Sequence, residues 1–353
     1  MRALIAMSGG VDSSVAAKLA INNGYECVGC TMKLYQNADA GLSREHTCCA
    51  LNDVEDARSV ARKLKMPYYV FNFTDDFRSK IIDKFISSYE SGITPNPCID
   101  CNRYMKFAKL FDRAKILNCQ YIVTGHYARI TQDVSGYHLK KALDSSKDQS
   151  YVLYSMTQQQ LAHTLFPLGL LRKTETRKIA EENGFRNAHK PDSQDICFVP
   201  DGDYAKIIEL HTGKKSTQGK FIDAEGNILG THNGIIHYTI GQHTGLGLSL
   251  PYAVYVIRIN PANNTIVLGP QEDLFNNKAL VNEFNWISGK PPKDSIRCRA
   301  KIRYRQPEQW VKVTPKSNER VELTFDEPQR AITPGQAAVI YDGDEVLGGG
   351  VIV

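Results

Sequence analysis

The stretch that most constrains this chain lies close to its N-terminus, at residues 6–14, and reads AMSGGVDSS. An apolar run over 2–7 leads into two glycines, and a helix-forming pattern follows over 11–22. A strand, a glycine turn and a helix in this order leave backbone N–H groups and the positive end of a helix dipole available to an anion. The glycines and hydroxyl donors of the turn are Ser8, Gly9, Gly10, Ser13 and Ser14. The sequence therefore predicts a phosphate-binding turn rather than a merely tight connection.

The turn lacks a lysine after its glycines, so it is not the G-x-x-x-x-G-K-[ST] loop of ordinary P-loop NTPases. SGGVDSS, at residues 8–14, instead resembles the pyrophosphate loop of ATP pyrophosphatases. Those enzymes split ATP between its α and β phosphates and adenylate a substrate. The resemblance implies that this chain uses ATP.

Length and composition indicate a globular protein of two or three domains, because 353 residues with 42% hydrophobic and 23% charged residues are ordinary for that class. No apolar run approaches the roughly 20 residues that span a bilayer, and Ser8 interrupts the N-terminal run too early for a signal peptide. We therefore expect a cytoplasmic protein with no membrane partner. In that reducing compartment the nine cysteines should be catalytic, metal-binding or buried. The net charge of +5 permits nucleic acid as a partner without establishing it.

Strand and helix patterns alternate through the N-terminal half of the chain. Strands are predicted at 2–7, 25–32, 68–73 and 121–124, and helices at 11–22, 52–64, 77–91 and 103–117, with Asn52 or Asp53 and Asp75 or Asp76 as caps. A hairpin at 128–143 is expected to add to this sheet, and helical patterns continue over 148–166 and 174–182. The alternation predicts an α/β fold with a doubly wound parallel sheet, whose ligands sit at the carboxyl ends of its strands.

The pattern changes beyond about residue 221, where short strands separated by Gly, Asn and Pro dominate. We place one domain boundary near Asp203 and a second near Pro270. The predicted domains are an α/β domain at 1–203, a small β-rich central domain at 204–270 and a C-terminal antiparallel β-barrel or sandwich at 271–353.

Three cysteines lie in polar, proline-containing segments rather than in apolar ones. Cys98 and Cys101 are in TPNPCIDCN and Cys197 is in KPDSQDICFV. The prolines before Cys98 predict a loop, and the dipole of the following helix is expected to lower the pKa of Cys101. The C-x-x-C pair could be a redox pair, half a zinc site, a nucleophile with a neighbour, or two buried structural cysteines. The cysteines expected in the core are Cys27, Cys30, Cys119 and Cys298, while Cys48 and Cys49 are placed in a long loop with no role.

The segment 297–305, RCRAKIRYR, alternates cations with other residues at a strict period of two. On one strand this period would place Arg297, Arg299, Lys301, Arg303 and Arg305 on a single face. Such a row repels itself, and a polyanion would relieve the repulsion. Nucleic acid is the favoured partner, and the alternative is a solvated strand whose charges pair with neighbouring Asp and Glu.

Several motifs together resemble one family closely, the tRNA-specific 2-thiouridylases, which place sulfur at C2 of the wobble uridine. The motifs are SGGVDSS (8–14), TPNPCIDCNR (94–103), TGHYAR (124–129), KDQSY (147–151), KPDSQDICF (190–198), YTIGQHTGLG (238–247), RYRQ (303–306) and TPGQ (333–336). They span nearly the whole chain. The resemblance implies an adenine nucleotide alpha hydrolase-like catalytic domain, a central β-rich domain and a C-terminal barrel that helps to bind tRNA.

The resemblance also implies how ATP is used. The uracil C2 oxygen is a poor leaving group, and adenylation makes AMP leave in its place. The implied ATP contacts are Ala6, Met7, Ser8, Gly9, Gly10, Val11, Asp12, Ser13, Met32 and Gly125, with Asp12 assisting through Mg²⁺.

By the same resemblance, Cys197 carries a persulfide supplied by a sulfur-donor protein such as a cysteine desulfurase or a sulfur relay protein. Its terminal sulfur attacks C2, and Cys101 then releases the product and leaves a Cys101–Cys197 disulfide. The implied contacts to the anticodon loop are Asn96, Pro97, Cys98, His126, Lys147, Asp148, Gln149, Arg303, Tyr304 and Gln336. The target base must leave its stack to reach such a site.

Cys98 departs from the family pattern, because well-known members carry Asp at this position. Cys98, Cys101 and Cys197 would suit an iron–sulfur cluster with one open iron, so a cluster route competes with the persulfide route. Two further functions are open. Another adenylating synthetase of the same loop class would explain SGGVDSS but not the cysteine motifs, and a non-catalytic tRNA-binding protein would leave the ATP loop unused.

Overall fold

A parallel sheet forms the centre of the N-terminal part of the chain. The computed structural model describes residues 1–41, 48–192, 196–317 and 319–353, with 48–51 as backbone. The first strands are β1 (Arg2–Ala6), β2 (Glu26–Lys33), β3 (Tyr68–Asn72), β4 (Tyr121–Val123), β5 (Arg129–Asp133), β6 (Gly136–Lys140) and β7 (Thr164–Leu165). Five of them pair in parallel in the order β3-β2-β1-β4-β7. The predicted parallel sheet is confirmed.

Helices connect and cover these strands. The described helices are α1 (Val11–Asn22), α2 (Cys48–Lys63), α3 (residues 74–90), α4 (residues 97–116), α5 (Gln158–Ala162), α6 (Lys173–Glu182) and α7 (Tyr204–Thr212). Two of them change hydrogen-bonding pattern midway, since Arg78–Ile82 in α3 and Cys101–Lys109 in α4 are π-helical. No helix among the described residues is long and apolar enough to cross a membrane.

The second half of the chain is built from strands. Strands β8 (Gly219–Ile222), β9 (Ile228–His232), β10 (Tyr255–Asn260) and β11 (Thr265–Gly269) form a central sheet in the order β10-β11-β8-β9. Strands β12 (Phe275–Trp286), β13 (Ile296–Lys301), β14 (Gln309–Ser317), β15 (Arg320–Arg330), β16 (Ala337–Asp342) and β17 (Glu345–Ile352) follow. They pair antiparallel in the order β12-β15-β14-β13-β16-β17, and β17 pairs with β12. The C-terminal antiparallel barrel is therefore confirmed, and it is closed.

Three helices begin earlier than predicted. The first, α2, begins at Cys48, so Cys48 and Cys49 lie in a helix and not in a long loop. In α3 the start is Thr74, whose backbone N–H donates to Oδ1 of Asn72 at 3.2 Å, so the predicted caps fall inside the first turn. The start of α4 is Pro97, because a proline at the first helical position loses no helical hydrogen bond. The prediction that the C-x-x-C pair lies on a loop is therefore wrong.

The prediction that the hairpin of β5 and β6 adds to the parallel sheet is wrong. It joins the barrel, where Lys140 of β6 pairs with Glu345 of β17 and the Arg129 guanidinium contacts the Asp344 carboxylate at 2.7 Å. The helical pattern predicted over 148–166 is also interrupted. A 3₁₀ turn at Ser150–Leu153 precedes α5, and β7 becomes the fifth strand of the parallel sheet. Because β7 has two residues, it is too short to show a strand period.

Candidate active site

The glycine turn between β1 and α1 is held in shape by its own serines. Gly9 has a φ of +77°, and a Cβ at this position would lie 2.3 Å from the backbone oxygen of Asp53. Oγ of Ser13 accepts a hydrogen bond from the backbone N–H of Ser8 at 3.2 Å and donates to the carbonyl oxygen of Gly10 at 3.0 Å. The turn therefore presents a fixed backbone at the N-terminus of α1, the arrangement that binds phosphate.

Two residues from distant parts of the chain pack against this turn. Gly125 follows β4, and a Cβ there would lie 2.7 Å from the backbone nitrogen of Ser13. The Nδ2 group of Asn187 donates to the carbonyl oxygen of Gly9 at 2.8 Å and to Oγ of Ser14 at 2.9 Å. Asn187 is buried. The turn is thus supported from both sides, and only a glycine fits at position 125.

Asp12 points from the first turn of α1 into a network of charges. Both of its carboxylate oxygens lie 2.7 Å from Nζ of Lys173, and the Tyr127 hydroxyl donates to Oδ1 at 2.9 Å. Lys173 is buried and also contacts Asp192 at 2.8 Å, and Asp192 contacts Lys147 at 2.8 Å. Burial alone would raise the pKa of Asp192, but hydrogen bonds from Lys147 and Lys173 hold it below its usual value. The network ties the KPDSQDICF segment to the glycine turn.

Three thiols come together where α4 begins. Cys98 and Cys101 lie one turn apart on α4, and the Tyr35 hydroxyl donates to the carbonyl oxygen of Cys197 at 2.6 Å. Cys98 and Cys197 are exposed residues, and Cys101 is half-buried. Packing around the sulfur atoms raises the pKa of all three thiols, that of Cys101 to about 11, and neighbouring thiolate charge adds to the rise at Cys101 and Cys197. The predicted lowering of the Cys101 pKa is wrong, because burial raises this pKa by more than the charge of Lys106 lowers it.

Lys106 supplies positive charge to this cluster. It lies on the π-helical part of α4, five residues beyond Cys101, and residues five apart align in a π-helix. Its charge opposes the rise in pKa of Cys98, Cys101 and Cys197. Nζ of Lys106 lies 3.3 Å from Nε2 of His126. Burial, and then the charge of Lys106, hold the pKa of His126 well below its usual value, so the ring is neutral at pH 7 and accepts from Lys106.

Gly125 and His126 connect the glycine turn to the thiols. Gly125 packs on Ser13 of the turn, and the next residue contacts Lys106. Met32, at the end of β2, packs in the same apolar cluster as Cys101. The carboxyl ends of β1, β2 and β4 therefore converge on one site, as expected for a parallel sheet.

The residues predicted to contact tRNA lie mainly where the N-terminal part meets the barrel. The Tyr304 hydroxyl donates to the carbonyl oxygen of Asp148 at 2.9 Å, and Nε2 of Gln336 donates to the carbonyl oxygen of Thr94 at 2.9 Å. Arg303 donates to Oγ1 of Thr333 at 2.8 Å. Tyr304 and Gln336 therefore hold the two parts together, whereas this bond of Arg303 lies within the C-terminal part.

Other residues predicted to contact tRNA make hydrogen bonds within the N-terminal part or adjoin Cys98. The Asp148 carboxylate accepts from the backbone N–H of Ala142 at 2.9 Å and from the Ser150 hydroxyl at 2.7 Å. Oε1 of Gln149 accepts from the backbone N–H of Tyr127 at 2.9 Å. Asn96 and Pro97 form the start of α4 directly before Cys98.

The basic strand is shorter than predicted. β13 ends at Lys301 and the chain then turns, so the prediction is wrong for Arg303 and Arg305. On the strand itself the alternation is confirmed, since Cys298 faces the barrel core. The guanidinium groups of Arg297 and Arg299 lie 5.2 and 4.9 Å from the ring centre of Trp310, a half-exposed residue.

Sequence reasoning missed several residues that the fold brings to the site. Tyr127 and Asp192 lie inside quoted motifs, and their polar side chains next to assigned residues were the available signal. Lys173, Lys106 and Asn187 lie outside the assigned positions, and nothing in their local sequence indicates the site.

The described residues do not fit a metal centre as they are placed. Within the described ranges, no group of three His, Cys, Asp or Glu side chains could hold a metal ion. Cys98, Cys101 and Cys197 are free thiols, and the Asp12 carboxylate is engaged by Lys173. Neither an iron–sulfur cluster nor a Mg²⁺ site on Asp12 therefore has a preformed ligand set in this part of the structure.

Comparison with protein families gives three matches along the chain. Residues 1–201 match a tRNA methyl transferase HUP domain, 206–270 a tRNA methyl transferase PRC-barrel domain and 276–352 an aminomethyltransferase beta-barrel domain. These matches cover nearly the whole chain in the order of its three structural parts.

Curated relatives match over the full length. The tRNA-specific 2-thiouridylase MnmA of Clostridioides difficile (strain 630) is 49% identical over 99% of this chain and 98% of its own. That of Acetivibrio thermocellus is 48% identical over 99% of both chains. A solved 4-thiouridine synthetase–RNA complex with bound ATP matches 60% of this chain and 51% of its own at 18% identity and a TM-score of 0.34, which is too weak to support an argument.

Proposed function

The chain belongs to the tRNA-specific 2-thiouridylase family, and from this premise we propose that it uses ATP to replace the C2 oxygen of the wobble uridine of tRNA by sulfur. The observation that supports the proposal is that the glycine turn and the three thiols are connected through two adjacent residues. Gly125 packs on the phosphate-type turn, and His126 contacts the lysine whose charge acts on three thiols. An adenylating site and a sulfur site that share adjacent residues can act on one substrate atom in sequence.

In the proposed first step, the glycine turn holds the phosphates of ATP and the C2 oxygen of uridine attacks the α phosphate. A C2–O–AMP bond forms and pyrophosphate leaves. Backbone N–H groups at the start of α1 would stabilise the phosphate charge. Met32 and Gly125, at neighbouring strand ends, would contact the nucleoside.

In the second step, a persulfide on Cys197 would deliver sulfur. Its terminal sulfur bonds to C2, and AMP leaves with the former C2 oxygen. The Cys101 thiolate then attacks Sγ of Cys197, so that the electron pair of the persulfide bond passes to the new thiocarbonyl sulfur and a Cys101–Cys197 disulfide remains. The exposure of Cys197 supports loading by a sulfur-donor protein, and Lys106 favours each thiolate.

In this proposal residues 1–203 form the catalytic domain and 271–353 the tRNA-binding barrel, with 204–270 between them. By resemblance to the family, Lys147 and Tyr304 would contact the anticodon loop, and the exposed Arg305 follows Tyr304 in the chain. No step runs through a metal ion, because the described residues present no ligand set for one.

The test is pyrophosphate release and 2-thiouridine formation by the purified chain with ATP, a persulfide donor and an unmodified tRNA transcript. We expect pyrophosphate release to depend on tRNA, and Cys197→Ser to abolish 2-thiouridine. Cys119→Ser is the matched control, since Cys119 is buried at the opposite end of α4 from Cys98. Pyrophosphate release without tRNA would favour another adenylating synthetase, and tRNA binding without any pyrophosphate release would favour a binding protein.

A further inference from the structure

The residue that the proposed chemistry leaves unused is Cys98. It is exposed, lies one helical turn before Cys101, and is close enough for its charge to act on both other thiols. The charge of Cys98 also contributes to the raised pKa of Tyr304, a residue of the barrel part. Cys98 therefore lies at the edge of the cluster nearest the barrel. In the proposed reaction each turnover ends with a disulfide. A third thiol at the edge of the site can exchange with that disulfide.

We infer that Cys98 is a resolving thiol, which converts the Cys101–Cys197 disulfide into a Cys98–Cys101 disulfide and so frees Cys197. The inference rests on the proposed function, since that reaction supplies the Cys101–Cys197 disulfide. The Cys98 thiolate attacks Sγ of Cys101, a Cys98–Cys101 bond forms, and the electron pair of the old bond leaves on Cys197. No net oxidation occurs, and Cys197 is free to accept sulfur again. A dithiol reductant then reduces the Cys98–Cys101 pair.

Helix geometry permits this bond. Cα atoms three residues apart on an α-helix are about 5 Å from each other, within the roughly 4.4–6.8 Å that disulfides bridge. The segment Pro97–Asp100 is the first turn of α4, where the backbone has fewer helical hydrogen bonds to break. The two residues share this turn, whereas Cys197 comes from a separate segment.

The gain from the exchange is the release of Cys197. Cys101 is half-buried among Met32, Tyr35 and Phe198 in one apolar cluster, and it is the half-buried partner in either disulfide. Cys98 and Cys197 are both exposed. A Cys98–Cys101 disulfide therefore remains open to a dithiol at Cys98 while the exposed Cys197 thiol is free to be loaded with sulfur.

The first test needs no tRNA, so it is independent of the proposed function. Reduced protein is treated with one equivalent of diamide, quenched with an alkylating agent and digested with trypsin under non-reducing conditions. Cys98 and Cys101 share the peptide 85–103, and Cys197 lies in 187–206, so the two disulfides have different masses. We expect wild type to give the internal disulfide of 85–103 and Cys98→Ser to give the cross-link between the two peptides. Cys119→Ser should behave as wild type.

A wild-type cross-link between 85–103 and 187–206 would overturn the inference. Iron and acid-labile sulfide bound by anaerobically purified wild type and lost in Cys98→Ser would also overturn it, because Cys98 would then be a cluster ligand.

The second test is a single turnover with tRNA, ATP and persulfide-loaded protein without reductant. 2-Thiouridine together with the internal disulfide supports both proposals. 2-Thiouridine together with the cross-link overturns the Cys98 relay alone. No 2-thiouridine counts against the proposed function, and the diamide result then decides the relay.

Discussion

Nζ of Lys173 lies 2.7 Å from each carboxylate oxygen of Asp12, although the two residues are 161 positions apart in the chain. Lys173 also contacts Asp192 at 2.8 Å, so one buried ammonium joins the glycine turn to the segment that leads to Cys197. The charge network therefore has a structural role, because a single side chain links the glycine turn to Asp192.

Replacing Lys173 with Met should therefore affect both stability and activity. Asp12 loses its ammonium partner and Asp192 keeps only Lys147 and Arg177. Because both carboxylates are partly exposed, we expect the free energy of unfolding to fall by about 1–3 kcal/mol, less than for a fully buried pair. Pyrophosphate release should fall at least about tenfold, since Asp12 would no longer be held. Lys178→Met is the control, because Lys178 lies on the same helix and is exposed with a long contact of 3.8 Å to Glu182. Equal losses in both variants would contradict the proposed role of Lys173.

Lys106→Met should make the thiols less reactive at neutral pH. The Lys106 charge lowers the pKa of Cys98, Cys101 and Cys197, so its removal raises those pKa values further and reduces the thiolate fraction. The measurement is the rate of alkylation of Cys98 by iodoacetamide as a function of pH, followed by mass spectrometry. The profile should move to higher pH in Lys106→Met and stay in place in Lys109→Met, since Lys109 lies on the same helix as Lys106 but pairs with Asp76 of α3.

Gly125→Ala should weaken ATP binding without unfolding the chain. A Cβ at this position would lie 2.7 Å from the backbone nitrogen of Ser13, so the start of α1 must move. Loss of one hydrogen bond to a charged phosphate, about 1.5–3 kcal/mol, weakens binding by about 10- to 150-fold. Titration calorimetry with ATP measures the change. Gly24→Ala, at the other end of α1, meets no atom within 4 Å and should leave ATP affinity unchanged despite its φ of +81°.

Local sequence was sufficient where neighbouring residues decide the structure. The helix predicted at 11–22 matches α1, and alternation on β13 correctly places Cys298 inside the barrel. Local signals failed where a distant partner decides. Nothing near Arg303 indicates that it donates to Thr333, and nothing in 128–143 indicates that the hairpin pairs with β17 rather than with the parallel sheet.

At the cysteine site the sequence predicts the residues correctly but not their local structure or pKa. The motifs identified Cys98, Cys101 and Cys197, which the fold brings together, but Pro97 was interpreted as a helix breaker when it is the first residue of α4. The pKa of Cys101 was expected to fall with the helix dipole. It rises because packing against an apolar cluster, which is formed by residues from several elements, raises it by more than the charge of Lys106 lowers it.

His138 should stabilise the hairpin at low pH more than at high pH. The hydrogen bond to Glu345 makes the largest contribution to raising the pKa of His138 above its usual value, and the hydrogen bond to Asp133 raises it further. A pKa raised by folding means that the stabilisation is complete below the unfolded value of about 6.5 and is lost as pH rises through the folded value. The difference in unfolding free energy between wild type and His138→Gln should therefore shrink between pH 6 and pH 9. A difference that stays constant over this range would refute the assignment.

Substitutions of Arg303 and Arg305 should have different effects, although both residues lie in one motif. We expect Arg303 to have a structural role and Arg305 a role in RNA binding. The Arg303 guanidinium donates to the backbone oxygen of Ala331 at 3.0 Å and to Thr333 at 2.8 Å, and burial lowers its pKa. Arg303→Met removes both of these hydrogen bonds from the guanidinium and leaves only the one from the Thr333 hydroxyl to the Ala331 oxygen, so we expect a loss of about 1–3 kcal/mol in unfolding free energy.

Arg305 is exposed, and Arg305→Met should change stability by less than about 0.5 kcal/mol. If Arg305 contacts a tRNA phosphate, the same variant should weaken tRNA binding and reduce the slope of log affinity against log salt by about 1. Filter binding over a range of salt concentrations measures both quantities. If Arg303→Met instead keeps full stability and loses tRNA affinity, the family-based assignment of Arg303 to tRNA is correct and the structural role argued from its hydrogen bonds is not.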